Sequence, residues 1–380
     1  MNIEKNRDSN FELMRIVLMF MIVFWHLIIN FIFVHKNTPI SLICWNILYF
    51  LLIIHIDTFI LLTGYFQSKK EVLGIKKIIK LNNQAYFYKI IILIIFLILH
   101  ITPLSPLKIF QLIQPITLYE QYWFISIYIL LYLISPYLNK LLNQLSQKEH
   151  KRFISILFII SSIIPIITNE LAYSNNKGYS LLNFVLMYSI GAYLRKYPLK
   201  KIDFFSKRTK SRRKLIYISI YVFLAIINVL LYNFSPTLEE TKNPILAELS
   251  SIIINMKSSY NNPLIIIESI FFFSYFSELN LKSKIINSIS SVTLDIYLIH
   301  DNYLIRKLYK PINDYIFPKV LGLRYIVLVF IITLLIFTIC LIIGYIRKIV
   351  FKKINTLKIV KNKKLKLRNK IDSLGYEIIW

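Results

Sequence analysis

Arg15 and His26 stand at the two ends of "RIVLMFMIVFWH", and the ten residues between them are all apolar. An arginine keeps its charge at any physiological pH, whereas an imidazole takes and returns a proton near neutrality. Eleven residues at 100° each make about three turns plus 20°, with a rise of roughly 16 Å, so a helix places both side chains on one face. One face then offers a fixed cation at one end and a titratable base deeper in. Two readings of the pair stand: a cation and a base lining a polar cavity, or an arginine snorkelling to phosphates and a histidine closing an interhelical hydrogen bond.

Other ionisable side chains fall in similarly apolar surroundings: His55, Asp57, His100, Glu120, Glu268, Asp295, His300 and Asp301. At bilayer depth such groups are costly and usually face a cavity or a partner, so they define a search space. "IDTFILLTGYF" at 56–66 carries Gly64 near its end, where a backbone or ligand can approach closely, and Lys69, Lys70, Lys76, Lys77 and Lys80 follow. Five lysines beside a helix end suit a phosphorylated ligand, or are ordinary topology markers. "EQYWFISIYILLYLISPYLN" at 120–139 brings Tyr122 and Trp123 to the outer interface, as belt anchors or as stacking surfaces. "SVTLDIYLIHDNYLIR" at 291–306 puts Tyr297 and His300 at i, i+3 on one helical face, as cavity lining or as a packed pair.

The elements that hold these residues are membrane helices. Of 380 residues 56% are hydrophobic and only seven are glycine, and the mean hydropathy is +0.59. A hydrocarbon core about 30 Å thick takes about 20 apolar residues per helix. Ten such stretches run near 11–34, 40–66, 84–105, 121–144, 152–169, 180–197, 214–233, 259–277, 285–306 and 322–347. The expected fold is an all-α polytopic bundle of these ten helices.

The net charge of +27 is distributed as topology. With the N-terminus in the cytosol, ten Lys and Arg fall in Arg195–Lys214 and eleven from Arg347 to Lys370, all on inside segments, while the most basic outside loop, around 306–324, carries five. That asymmetry puts both termini in the cytosol, with anionic inner-leaflet lipid as a secondary partner, and leaves no soluble surface for reading nucleic acid. Residues 1–350 are expected to form the membrane domain and 351–380 a basic cytosolic tail lying on the inner leaflet. The outside segment 234–258 has room for a short helix. Cys44 and Cys340, both within apolar helices, argue for neither a disulfide framework nor a metal site. The first stretch is long and lacks a small-residue cleavage site, which reads as a retained helix.

Taken in order, these stretches resemble the acyltransferase-3 family of integral membrane acyltransferases, which modify bacterial surface polysaccharides, usually by O-acetylation from acetyl-CoA. "FELMRIVLMFMIVFWH" is similar to the family's first-helix Arg-x10-His signature, which carries over to Arg15 and His26. "DTFILLTGYF" resembles its Asp-x-Phe-Phe-x-x-Ser-Gly-Phe segment, with Ile60, Thr63 and Tyr65 at the three departures. The basic run follows as Lys76, Lys77 and Lys80 where many members have arginines. "QYWFISIYILLYLISPYLN", "FVLMYSIGAYLRKY" and "DIYLIH" resemble the family's Trp-Phe and Pro segment, its Gly-containing sixth helix and its Tyr-x-x-His.

The resemblance implies a bacterial cytoplasmic membrane enzyme, with cytosolic acetyl-CoA as donor and a hydroxyl of a capsular, exopolysaccharide or lipid-linked glycan as acceptor. His26 is then the general base, and Arg15 with Lys76, Lys77 and Lys80 holds the donor's phosphates or pantetheine arm. Trp123, Tyr297 and His300 line the acceptor side. No metal is implied, and no serine or cysteine stands out as a nucleophile, which favours direct transfer. A lipid-linked oligosaccharide flippase or a polysaccharide polymerase is the rival class; its members tend towards internal repeats or a large outside loop, and neither is present here.

Overall fold

The computed structural model describes residues 8–31, 39–101, 103, 105, 106, 110, 122–168, 175–240, 243–257, 259–316 and 322–356. Every regular element among them is helical. In a hydrocarbon environment each backbone N–H and C=O must be satisfied internally, and a helix does this within one segment. The first four helices are α1 (Ser9–Phe31), α2 (Pro39–Leu52), α3 (His55–Gln67) and α4 (Ile75–Ile98). After them come α5 (Trp123–Gln144), α6 (Gln147–Phe158), α7 (Leu181–Lys196), α8 (Lys210–Glu240), α9 (Pro244–Lys257) and α10 (Pro263–Ser277). The last five are α11 (Lys284–Ser290), α12 (Thr293–His300), α13 (Tyr303–Arg306), α14 (Tyr309–Ile316) and α15 (Leu323–Thr356).

Seven stretches among the described residues are long and apolar enough to cross a membrane: Ser9–Asn30, Leu42–Gln67, Ile75–Ile98, Trp123–Gln144, Gln147–Ile167, Lys210–Leu238 and Leu323–Ile354. The remaining three of the ten expected stretches are shorter helices. α7 has 16 residues and α10 has 15. The stretch 285–306 is not one helix but three, α11 to α13, broken around Ser291–Val292 and at Asp301–Asn302. Polar side chains cap two of the pieces: Ser283 caps α11, and Asn302, at the second break, caps α13, each accepting a backbone N–H of its own helix.

Two further boundaries differ from the apolar pattern. α4 begins at Ile75, so Lys76, Lys77 and Lys80 belong to its first turns and not to a loop. The aliphatic stems of lysine are good helix formers, so the helix extends beyond its apolar part. Of the segment 234–258, expected outside, the described residues are mostly helical, as the end of α8 and all of α9. At the C-terminus, α15 runs on through Lys352 and Lys353 to Thr356, while the rest of the expected tail, like Glu120, lies outside the described residues.

α3 and α7 cross at backbone distance. Gly64 lies against the backbone of Tyr188 and Gly191 against the backbone of Leu61, so a Cβ at either position would overlap main-chain atoms. Small residues at a crossing let two helices approach at backbone distance, which compensates for the missing hydrophobic drive between helices in lipid. The two cysteines remain free.

Candidate active site

α1 and α12 meet at two histidines. His26 Nδ1 lies 3.0 Å from His300 Nε2, with ring centroids 5.2 Å apart. The hydrogen positions follow from the acceptors around them. His300 Nδ1 is 2.7 Å from the carbonyl oxygen of Ile296, one turn earlier in α12, and a carbonyl only accepts. In its neutral form His300 therefore carries its proton on Nδ1 and presents a lone pair at Nε2. His26 Nδ1–H donates to that lone pair, and a second acceptor, Asp301 Oδ1, stands 3.5 Å away. The free lone pair of His26 is left on Nε2, which makes no hydrogen bond among the described residues. Residues 21–28 of α1 are all buried except His26, whose side chain keeps 13% exposure.

The break after α12 builds the rest of this wall. Because the helix stops at His300, Asp301 turns back towards His26 and pairs with Arg306 of α13 at 3.4 Å. Tyr309 of α14 donates to the freed carbonyl of His300 at 2.8 Å. Asn302 donates to the Tyr122 hydroxyl at 3.0 Å, and Tyr122 donates to the Leu298 carbonyl at 2.8 Å. Each orphan carbonyl at the helix end is thereby satisfied, which holds the bend rigid.

An aromatic layer continues from the histidines. Trp25 stands 5.6 Å from His26 and 5.4 Å from His55. His55, at the break between α2 and α3, accepts from the Tyr260 hydroxyl at 3.4 Å, and Tyr260 stacks on Trp123 at 6.1 Å. Trp123 also packs on Tyr179 at 4.5 Å, inside this layer and not as an isolated belt residue. Tyr297 lies 6.2 Å from the His300 ring and 6.0 Å from Phe124.

The polar residues at the other end of α1 are arranged separately. Arg15 pairs with Glu12 at 2.5 Å, and its guanidinium lies 5.7 Å from the ring centre of Phe66. Glu12 also accepts from Ser290 of α11. Beside Phe66, a cavity of about 450 Å³ is lined by Asp8, Tyr65, Ser68, Lys69, Asn143, Arg195 and Lys196. Lys77 donates to the Tyr128 hydroxyl at 3.0 Å and lies over Tyr132 at 4.5 Å. Lys76 and Lys80 face a different cavity, with Arg347. Of the expected site residues, the fold brings His26, His300, Tyr297 and Trp123 into one neighbourhood; among the described residues no contact joins Arg15 to Lys76, Lys77 or Lys80.

A family model described as an acyltransferase domain, that of the acyltransferase-3 family, matches residues 8–345. The chain belongs to this acyltransferase family. No curated protein and no solved structure matches it significantly. In this acyltransferase the motif-bearing segments fall at helix contacts. Asp57 of "DTFILLTGYF" is fully buried and accepts from Asn183 of α7 at 3.0 Å, next to the Gly64 crossing. The segment thus fastens α3 to α7.

Two members of the histidine cluster, Asp301 and Arg306, had no assigned role in the sequence reading. Their signal was present, a carboxylate directly after the histidine and an arginine five residues later, but only the break after His300 brings the two together beside His26. A second network was equally silent: Asp295, fully buried, accepts from Tyr88 and Gln84 at 2.8 Å and pairs with Arg347 at 2.5 Å. Glu268 is also buried and accepts from Asn228 at 2.7 Å.

Proposed function

We propose that this multi-pass membrane acyltransferase moves an acetyl group from cytosolic acetyl-CoA to a hydroxyl of a bacterial surface glycan in the cytoplasmic membrane, with His26 as general base. The observation that carries the reading is the His26–His300 contact at 3.0 Å, because it leaves the basic lone pair of a partly exposed imidazole on Nε2. A sugar hydroxyl is a poor nucleophile until a base removes its proton.

In the reaction so read, the hydroxyl oxygen forms a bond to the thioester carbonyl carbon while its proton passes to His26 Nε2. The carbon–sulfur bond then breaks, and the imidazolium returns the proton to the departing thiolate, which leaves as CoA thiol. While His26 is charged, the Asp301 carboxylate 3.5 Å from Nδ1 stabilises it, and His300 holds the ring orientation. The donor's phosphates fall to Arg15 and the neighbouring cations Lys69, Arg195 and Lys196, since Arg15 and that cavity share Phe66. The pantetheine arm then spans the interval of roughly 16 Å from Arg15 to His26. Trp123 and Tyr297 supply aromatic surface for a sugar ring on the acceptor side.

The test is purified protein given acetyl-CoA and isolated glycan. Wild-type protein acetylates the glycan, and His26→Ala at matched, folded yield does not. Normal acetylation by His26→Ala would remove the base assigned here.

A further inference from the structure

A groove runs between α4 and α15, away from the histidine cluster. At one end Lys76, Lys80, Asn83 and Gln84 of α4 face Arg347 of α15 around a cavity of about 500 Å³. Phe87, Arg347 and Phe351 are shared with a second cavity of about 510 Å³, which extends along both helices to Ile299 of α12. Apart from Tyr88 and Arg347, every side chain lining this second part is aliphatic or a phenylalanine.

The dimensions match one lipid leaflet. On α4 the second cavity is lined from Phe87 to Phe96, and on α15 from Ile343 to Ile354. At 1.5 Å per residue these are about 14 and 17 Å, close to half of a hydrocarbon core about 30 Å thick. The cations gather where α4 begins and α15 ends, on the side that collects the chain's lysines and arginines. Arg347 is fixed at the throat by the fully buried Asp295.

We propose that this groove binds an anionic glycerophospholipid of the cytosolic leaflet, with its phosphate headgroup at Lys76 and Lys80 beside Arg347 and one acyl chain lying between α4 and α15. The pantetheine arm of the acyl donor is a poor occupant, because its amides would enter a wall that offers them no hydrogen bond. A soluble phosphate would leave a leaflet-length apolar groove unfilled. The acyl chain ends at Ile299, the residue before His300, so the lipid braces the helix that carries the site histidine. Charge at one end and apolar length at the other select the headgroup and the leaflet together.

Native mass spectrometry of the detergent-purified full chain tests this, with palmitoyl-oleoyl phosphatidylglycerol and the matching phosphatidylcholine at equal concentration. Wild-type protein is expected to retain the phosphatidylglycerol in preference to the phosphatidylcholine. The Lys76→Gln/Lys80→Gln double variant should weaken retention about fivefold per lysine, roughly 25-fold together. Ile346→Trp, which fills the apolar part and leaves every charge in place, should lose retention while eluting as folded, monodisperse protein. Equal retention of the two lipids, unchanged phosphatidylglycerol binding in the double variant, or displacement of the lipid by inorganic phosphate alone would each overturn the proposal.

Discussion

Asp301→Asn separates charge from shape at the histidine cluster. The substitution is isosteric, and His300 Nε2 still accepts from His26 Nδ1 at 3.0 Å, so the proton on His26 stays where it is and only the negative charge is lost. A unit charge 3.5 Å from Nδ1 is worth about 5 kcal/mol to a full imidazolium at an effective dielectric constant near 20. Two effects reduce this. The transition state carries only part of the positive charge, and Arg306, 3.4 Å from Asp301, already draws on the same carboxylate. A net cost of roughly 2–3 kcal/mol remains, or about 30- to 150-fold in kcat. Arg306 has 41% of its side chain exposed, so losing its partner leaves no charge stranded in the interior and the fold should survive. The assay is steady-state release of CoA thiol from acetyl-CoA in the presence of glycan, with KM measured for both substrates. A kcat within threefold of wild type in folded Asp301→Asn protein, or a loss confined to the KM for acetyl-CoA, would refute the electrostatic role.

Three other perturbations probe different links. His300→Phe removes the acceptor that holds the His26 Nδ1 proton, so kcat should fall about 100-fold or more, within the range of lost general-base catalysis, and by more than in Asp301→Asn. Arg15→Ala should raise the KM for acetyl-CoA about tenfold with kcat nearly unchanged, because Arg15 meets Glu12 and Phe66 at the far end of α1 from His26; a loss in kcat alone would contradict donor binding. Gly191→Ala pushes a methyl group into the backbone of Leu61 and should cost about 1–3 kcal/mol, read as a lower unfolding temperature of the detergent-solubilised protein, whereas an unchanged temperature would show that the α3–α7 crossing yields easily.

What could be read from the sequence depended on whether the information was periodic. The helical nature of the chain and the shared face of Arg15 and His26 follow from apolar runs and a spacing of eleven, both properties of a single helix. The partner of that face does not. His300 lies 274 positions from His26, and its ring reaches Nδ1 only because α11 and α12 are short, broken pieces packed beside α1. Hydropathy averages across such a break, which is why 285–306 looked like one span. The same averaging hid Asp301 and Arg306, since a continuous helix would have carried them around and away from His300.

The lysines of α4 show the complementary limit. Lys76, Lys77 and Lys80 form one basic run in the sequence, and on a helix they span about 100° of one face with residue 80 between residues 76 and 77, yet their partners divide them. The fold follows that division: Lys77 meets Tyr128 and Tyr132 of α5, whereas Lys76 and Lys80 look across to Arg347 of α15. A run of like charge on one helix is therefore split by what the neighbouring helices offer it. If the donor's phosphates were held by all three lysines together, Lys77 would have to leave Tyr128 and Tyr132. An acetyl-CoA KM that rises in Arg15→Ala and stays unchanged in Lys77→Gln is the pattern expected while Lys77 keeps those two contacts.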